Sequence, residues 1–129
     1  MHYGVHTLKL HSCDGVTDLS ALGIIYALYL SCCQGITDVS TLGHVHTLSL
    51  HSCSGITDVS ALGHVHTLSL TCCDGIADVS VLEHVHTLKL RYCVGVTEIN
   101  ALGHLHVLSK YGVVSIVDVS ALAMCTLFV

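Results

Sequence analysis

The stretch LGHVHTLSL (residues 42–50) returns letter for letter at 62–70, and HVHTL returns once more at 84–88. The interval between the first two copies is twenty residues. Extending that interval in both directions accounts for almost every apolar letter of the chain. One register runs Leu8, Leu28, Leu48, Leu68, Leu88, Leu108. Another runs Leu10, Leu30, Leu50, Leu70, Leu90 and breaks at Lys110. A third runs Cys13, Cys33, Cys53, Cys73, Cys93 and becomes Val113. Glycine recurs from Gly15 to Gly95, and an acid recurs at Asp18, Asp38, Asp58, Asp78, Glu98 and Asp118. The period of twenty is read as held without a slip.

A fixed period of this size marks a solenoid built of stacked supersecondary units. Within a unit, Val45-His46-Thr47-Leu48-Ser49-Leu50 alternates every second residue, which predicts a strand with Leu48 and Leu50 inward and Thr47, Ser49 and His51 outward. Gly55 marks a turn. The following ITDVSAL (56–62) is too short for a long helix. Its Asp and Ser can accept hydrogen bonds from free backbone N–H groups, so a 3₁₀ turn or an extended stretch is expected. Val45, Leu48, Leu50, Cys53, Ile56, Val59 and Leu62 are the expected inward set of the third unit. One unit cannot bury that set alone, so units stack about 4.8 Å apart. The whole of 1–129 reads as one solenoid domain of about six coils, with a truncated first coil and a degenerate last one.

The pattern L-x-L-x-x-C-x-G-I-T-D-V-S-x-L resembles a leucine-rich repeat, over nearly the whole chain from about Val5 to Val129. ITDVSAL is similar to the second half of an internalin-like repeat, and the cysteine standing where asparagine is usual resembles the cysteine-containing class. Similar short arrays occur in protist and large-virus proteins. The resemblance implies a β-dominated α/β solenoid with a parallel sheet on its concave face and 3₁₀ or extended turns on its convex face. It implies an inward cysteine that bonds loop backbone, and it implies a protein-binding role.

Composition narrows the partners. The 129 residues are 52% hydrophobic and 10% charged, with a formal charge of −5 and only four Lys or Arg. So few cations argue against nucleic acid and against a polybasic membrane anchor. The least polar stretch, ALGIIYALYL (21–30), is too short to span a bilayer. The opening MHYGVHTLKLHSC lacks the cationic head and apolar run of a secretion signal. A cytoplasmic chain with its eight cysteines reduced is the expectation.

Nine of the twelve histidines form two ladders. One is His44, His64, His84, His104. The other is His6, His46, His66, His86, His106, with Tyr26 in the second unit. A metal-binding reading is open, since two rows could offer four imidazoles to one zinc. The simpler reading is a polar ladder at the corner entering the sheet, with no metal and no cofactor. Ser, His and Asp also recur in every unit, but a catalytic site is a single constellation at one place, so no catalysis is expected.

Recognition falls instead to outward positions that vary between units: Lys9 and His11, Tyr29 and Ser31, Ser49 and His51, Ser69 and Thr71, Lys89 and Arg91, then Ser109 and Tyr111, with Tyr92 beside them. The expected function is a non-catalytic scaffold whose sheet binds another protein. Two alternatives stand beside it: a histidine-ladder metal binder, and a structural fragment of a longer array with no partner of its own. The ends carry no separate cap, so end-to-end self-association is also expected to be open to the chain.

Overall fold

The computed structural model describes residues 6–82, 84–97 and 105–112, and the backbone of 126–128. Seven parallel strands form one sheet in strictly sequential order. They are β1 (Thr7–His11), β2 (Ala27–Ser31), β3 (Thr47–His51), β4 (Thr67–Thr71), β5 (Thr87–Arg91), β6 (Val107–Tyr111) and β7 (Thr126–Phe128). Between strands the chain crosses the opposite side of the coil in single 3₁₀ turns at Ser20–Leu22, Ser40–Leu42, Ser60–Leu62 and Ser80–Leu82. The coil is therefore a strand and a 3₁₀ turn, as the repeat length requires. The architecture is that of a leucine-rich-repeat-like solenoid.

Register follows the letters. Leu48 pairs with Leu68, and Leu50 with Leu70. The same twenty-residue step joins β1 to β6. The last step differs: Leu108 pairs with Leu127 and Val107 with Thr126, a step of nineteen. The expectation of an unbroken period fails there. Side-chain direction has period two in a strand, so register selects what faces the core. The nineteen-residue step aligns Thr126-Leu127 with the Thr-Leu pairs of Thr47-Leu48, Thr67-Leu68 and Thr87-Leu88.

The core is a column of these repeats. Val45, Leu48, Leu50, Cys53, Ile56, Val59 and Leu62 are all buried, as are their equivalents one coil on. No polar or charged side chain is buried among the described residues. Lys110 stands in the inward register opposite Leu90 and is only half-buried there. It belongs to the same end of the molecule as Lys89 and Arg91 but not to their face.

Each 3₁₀ turn is held by its aspartate. Asp18, Asp38, Asp58 and Asp78 each accept a hydrogen bond from the backbone N–H two residues on, at 2.8–2.9 Å. The carboxylate thereby satisfies an N–H that the short turn leaves unpaired. These bonds, together with hydrogen bonds from the serine hydroxyls, hold the four carboxyls below the ordinary range. The Ser20 backbone N–H is the main cause at Asp18, and the serine side chain is at Asp38, Asp58 and Asp78.

The cysteines close the other corner. Cys33, Cys53, Cys73 and Cys93 are fully buried. Cys53 Sγ donates to Leu30 O of the preceding coil at 3.7 Å and to His51 O of its own strand at 3.5 Å. Cys73 and Cys93 repeat the arrangement. All seven described cysteines are free thiols.

One feature of this corner has no counterpart in the sequence reading. The residue after each of β1 to β5 is left-handed: Ser12, Cys32, Ser52, Cys72 and Tyr92 have φ between 54° and 56°. Its N–H extends the ladder, as in Ser52 N–H to Thr71 O at 2.8 Å. In the sixth coil the same seat is taken by Gly112, φ 71°. The repeating glycines Gly35, Gly55, Gly75 and Gly95 serve a different need. A Cβ on Gly35 would lie 2.5 Å from Asp14 O in the coil before it. Close approach of successive backbones excludes a side chain there.

Candidate functional site

The strand pairing turns the variable positions into two continuous columns on the sheet face turned away from the core. Lys9, Tyr29, Ser49, Ser69, Lys89 and Ser109 are consecutive partners in one. His11, Ser31, His51, Thr71, Arg91 and Tyr111 are consecutive partners in the other. Lys9, His11, His51, Lys89, Arg91 and Tyr111 are exposed. Tyr29, Ser31, Ser49, Ser69, Thr71 and Ser109 are half-buried by their neighbours. Tyr92 lies just beyond the second column and is 45% exposed.

The columns differ along their length. At one end Lys9 Nζ sits 5.4 Å from the centre of the Tyr29 ring. The middle carries the small hydroxyl side chains Ser31, Ser49, Ser69 and Thr71, with His51 among them. At the other end Lys89, Arg91, Ser109 and Tyr111 line a shallow depression of about 340 Å³. The Arg91 guanidinium lies over Tyr111 at 5.7 Å, and the Tyr92 ring meets Tyr111 edge-on at 5.3 Å. Cation–π contacts in this range orient a guanidinium. A hydrogen bond that the Tyr92 hydroxyl donates to Tyr111 is the leading reason that its pKa is pushed above the usual value. Period-two alternation alone places Lys89, Arg91, Ser109 and Tyr111 on one face, whereas the left-handed corner at Tyr92 is not legible in the letters.

Beside these columns runs a third that sequence reading left out of the candidate set: Thr7, Ala27, Thr47, Thr67, Thr87 and Val107. It supports the histidine ladder. The Nδ1 atoms of His46, His66 and His86 each share a hydrogen bond with the next residue's threonine hydroxyl at 3.0 Å. The rings of His6, Tyr26, His46, His66, His86 and His106 stack face to face with centres 4.4–4.5 Å apart. His64 and His84 of the other ladder stand 5.7 Å apart. Burial, then the charges His106 and His66 would carry, hold the His86 pKa below the usual histidine value.

This stacking bears on the metal reading. The nitrogen lone pairs of imidazole lie in the ring plane. Face-to-face rings hold them side by side, whereas a tetrahedral zinc needs ligands that converge. Among the described residues no three His, Cys, Asp or Glu side chains are placed to hold a metal ion. His104 lies outside the described residues. No helix among those residues is long and apolar enough to cross a membrane.

No protein-family model and no curated protein matches the chain. Among solved structures it is similar to the functional domain of InlJ from Listeria monocytogenes, described as including a cysteine ladder. The identity is 18% and the TM-score 0.37, over 91% of this chain and 35% of that one. The chain thus spans about a third of that domain's length. The cysteine ladder described above stands on this chain's own buried thiols and their carbonyl partners.

Proposed function

We propose that the chain is a non-catalytic scaffold that binds another protein through the outer face of its sheet, in a compartment that keeps its thiols reduced. One observation supports this reading above the others. Residues that repeat are engaged in the stack itself, as buried apolar side chains, turn-holding aspartates, buried thiols or stacked rings. Within the strands, the residues that vary from coil to coil line up on one outer face, while the other varied positions, such as Asp14, Gln34, Ser54, Asp74 and Val94, stand at the turns. A rigid sheet presents such rows with little loss of conformational freedom on binding, which favours affinity. Tyr and Arg, the side chains most common among binding hot spots, are concentrated at its β5–β6 end.

The reading is tested by selecting ligands from a displayed random-peptide library and measuring their affinity for three forms of the chain. A Ser49→Arg/Ser69→Arg variant places bulk in the middle of one outer column. An Ala61→Arg variant places the same bulk on the turn side. Selected ligands should bind the first variant about tenfold more weakly or worse and the second as they bind the parent. Ligands indifferent to the outer face, or lost with the turn-side change, would contradict the scaffold reading.

A further inference from the structure

We propose that the depression between β5 and β6 seats an extended acidic segment of a partner protein, with carboxylates two residues apart held by Lys89 and Arg91. The proposal rests on the scaffold reading and names the chemistry of its partner. Charge is the first argument. The chain is acidic overall, at −5, and holds only four Lys or Arg. Two of the four project from adjacent outward positions of β5, where both are exposed. The two outer columns contain no carboxylate in any coil. The described aspartates lie on the 3₁₀ side or at the glycine turn. The cations therefore form a local positive field on a face with no acid to neutralise it, which attracts and orients an anionic partner.

Spacing is the second argument. Residues two apart on a strand are separated by about 6.6 Å, and alternate side chains of an extended peptide repeat at the same distance. A peptide lying along β5 would thus offer every second side chain to Lys89 and then Arg91. The Arg91 guanidinium rests on the Tyr111 ring. That contact orients its plane and leaves its N–H edges to donate in pairs to a carboxylate. Ser109, opposite Lys89, adds a hydroxyl to the same floor.

The third argument is Tyr92. Its left-handed corner is occupied elsewhere by Ser12, Cys32, Ser52, Cys72 and Gly112. Among the described residues, only here does a bulky side chain take that conformation, with its ring against Gly112 and edge-on to Tyr111. Such strain persists where the surroundings enforce it, and it is concentrated at binding and switching sites. Tyr92 lies beside the depression and braces Tyr111, one of its lining residues.

The test is a fluorescence-anisotropy titration of the full chain against a labelled peptide of alternating Glu and Ala. Parallel titrations use the Gln-and-Ala peptide and a single-stranded oligothymidine. The Glu peptide should bind, weaken as ionic strength rises from about 0.05 to about 0.5 M, and bind Lys89→Gln/Arg91→Gln about tenfold more weakly. Lys9→Gln removes a cation from the far end of the same face and should change affinity less than about twofold. Both variants are surface changes, and an unchanged melting temperature verifies their fold. The proposal is overturned by absent Glu-peptide binding, equal binding of the Gln peptide, equal loss in Lys9→Gln, or oligothymidine bound as tightly through Lys89 and Arg91. It is also overturned if sedimentation shows a second copy of the chain on this face, a dimer that Lys89→Gln/Arg91→Gln dissolves. Ligands selected from the library that depend on the outer face but are not acidic would defeat this inference and leave the scaffold reading standing.

Discussion

Single residues in this molecule answer to their neighbours one coil away. Gly15 and Gly35 occupy the same place in successive coils, yet a methyl group at Gly15 meets no described atom within 4 Å, whereas at Gly35 it strikes Asp14 O. Gly35→Ala should therefore destabilise by about 2 kcal/mol, as overpacking does, and Gly15→Ala by less than about 0.5 kcal/mol. Urea unfolding of the two variants measures both. The thiols divide in a similar way. Burial raises the Cys53 and Cys93 thiols above their ordinary pKa and pushes Cys73 up to about 12. The thiolate is the reactive form, so these sulfurs should resist alkylation in the native protein. Cys32 and Cys72, half-buried at their left-handed corners, should be modified first. Mass mapping after brief iodoacetamide treatment at about pH 8 separates the two groups; early labelling of Cys73 would contradict the buried ladder.

Among the elements, the stacked rings create a pH dependence whose direction is fixed. The depressed His86 pKa means that protonation favours the unfolded chain, where the imidazole titrates near 6.5. The stability that depends on a neutral stack is present above that value and is lost as pH falls through it towards the folded pKa. The four turn aspartates, also depressed, are protonated only below about pH 4, so the two effects occupy separate windows. The melting temperature should fall between about pH 7.5 and pH 5.5. His86→Tyr should reduce that fall, because it removes one imidazole from the stack and Tyr26 already shows that a phenol ring fits the same column. An unchanged melting temperature across that range would contradict this account of the ladder. The strand and the 3₁₀ turn were both legible in the letters, because period-two alternation and the Asp-x-Ser spacing each express a local rule. The left-handed corner was not. Ser, Cys and Tyr do not advertise that conformation, and only Gly112 in the same register hints at it.

Over the whole molecule, the fold was legible because one rule is applied repeatedly. Each coil buries the same side chains against the coil before it, so an interval measured on letters becomes a distance along the stack. The exception is equally physical. The step from Leu108 to Leu127 is nineteen, which pairs Val107-Leu108 with Thr126-Leu127. The outer columns were legible as positions, since alternation alone places Lys89, Arg91 and Tyr111 on one side. Their joint geometry was not, because the ring contacts at 5.3 and 5.7 Å depend on the separation of neighbouring strands and on the turn that Tyr92 makes. The most direct measurement is of methyl–methyl nuclear Overhauser effects in the leucine-labelled chain. Cross-peaks joining Leu48 to Leu68 and Leu68 to Leu88 are expected, with no helical i-to-i+4 pattern across residues 56–62. Absence of the twenty-residue cross-peaks, or a helical pattern in that segment, would contradict the stack on which every surface described above depends.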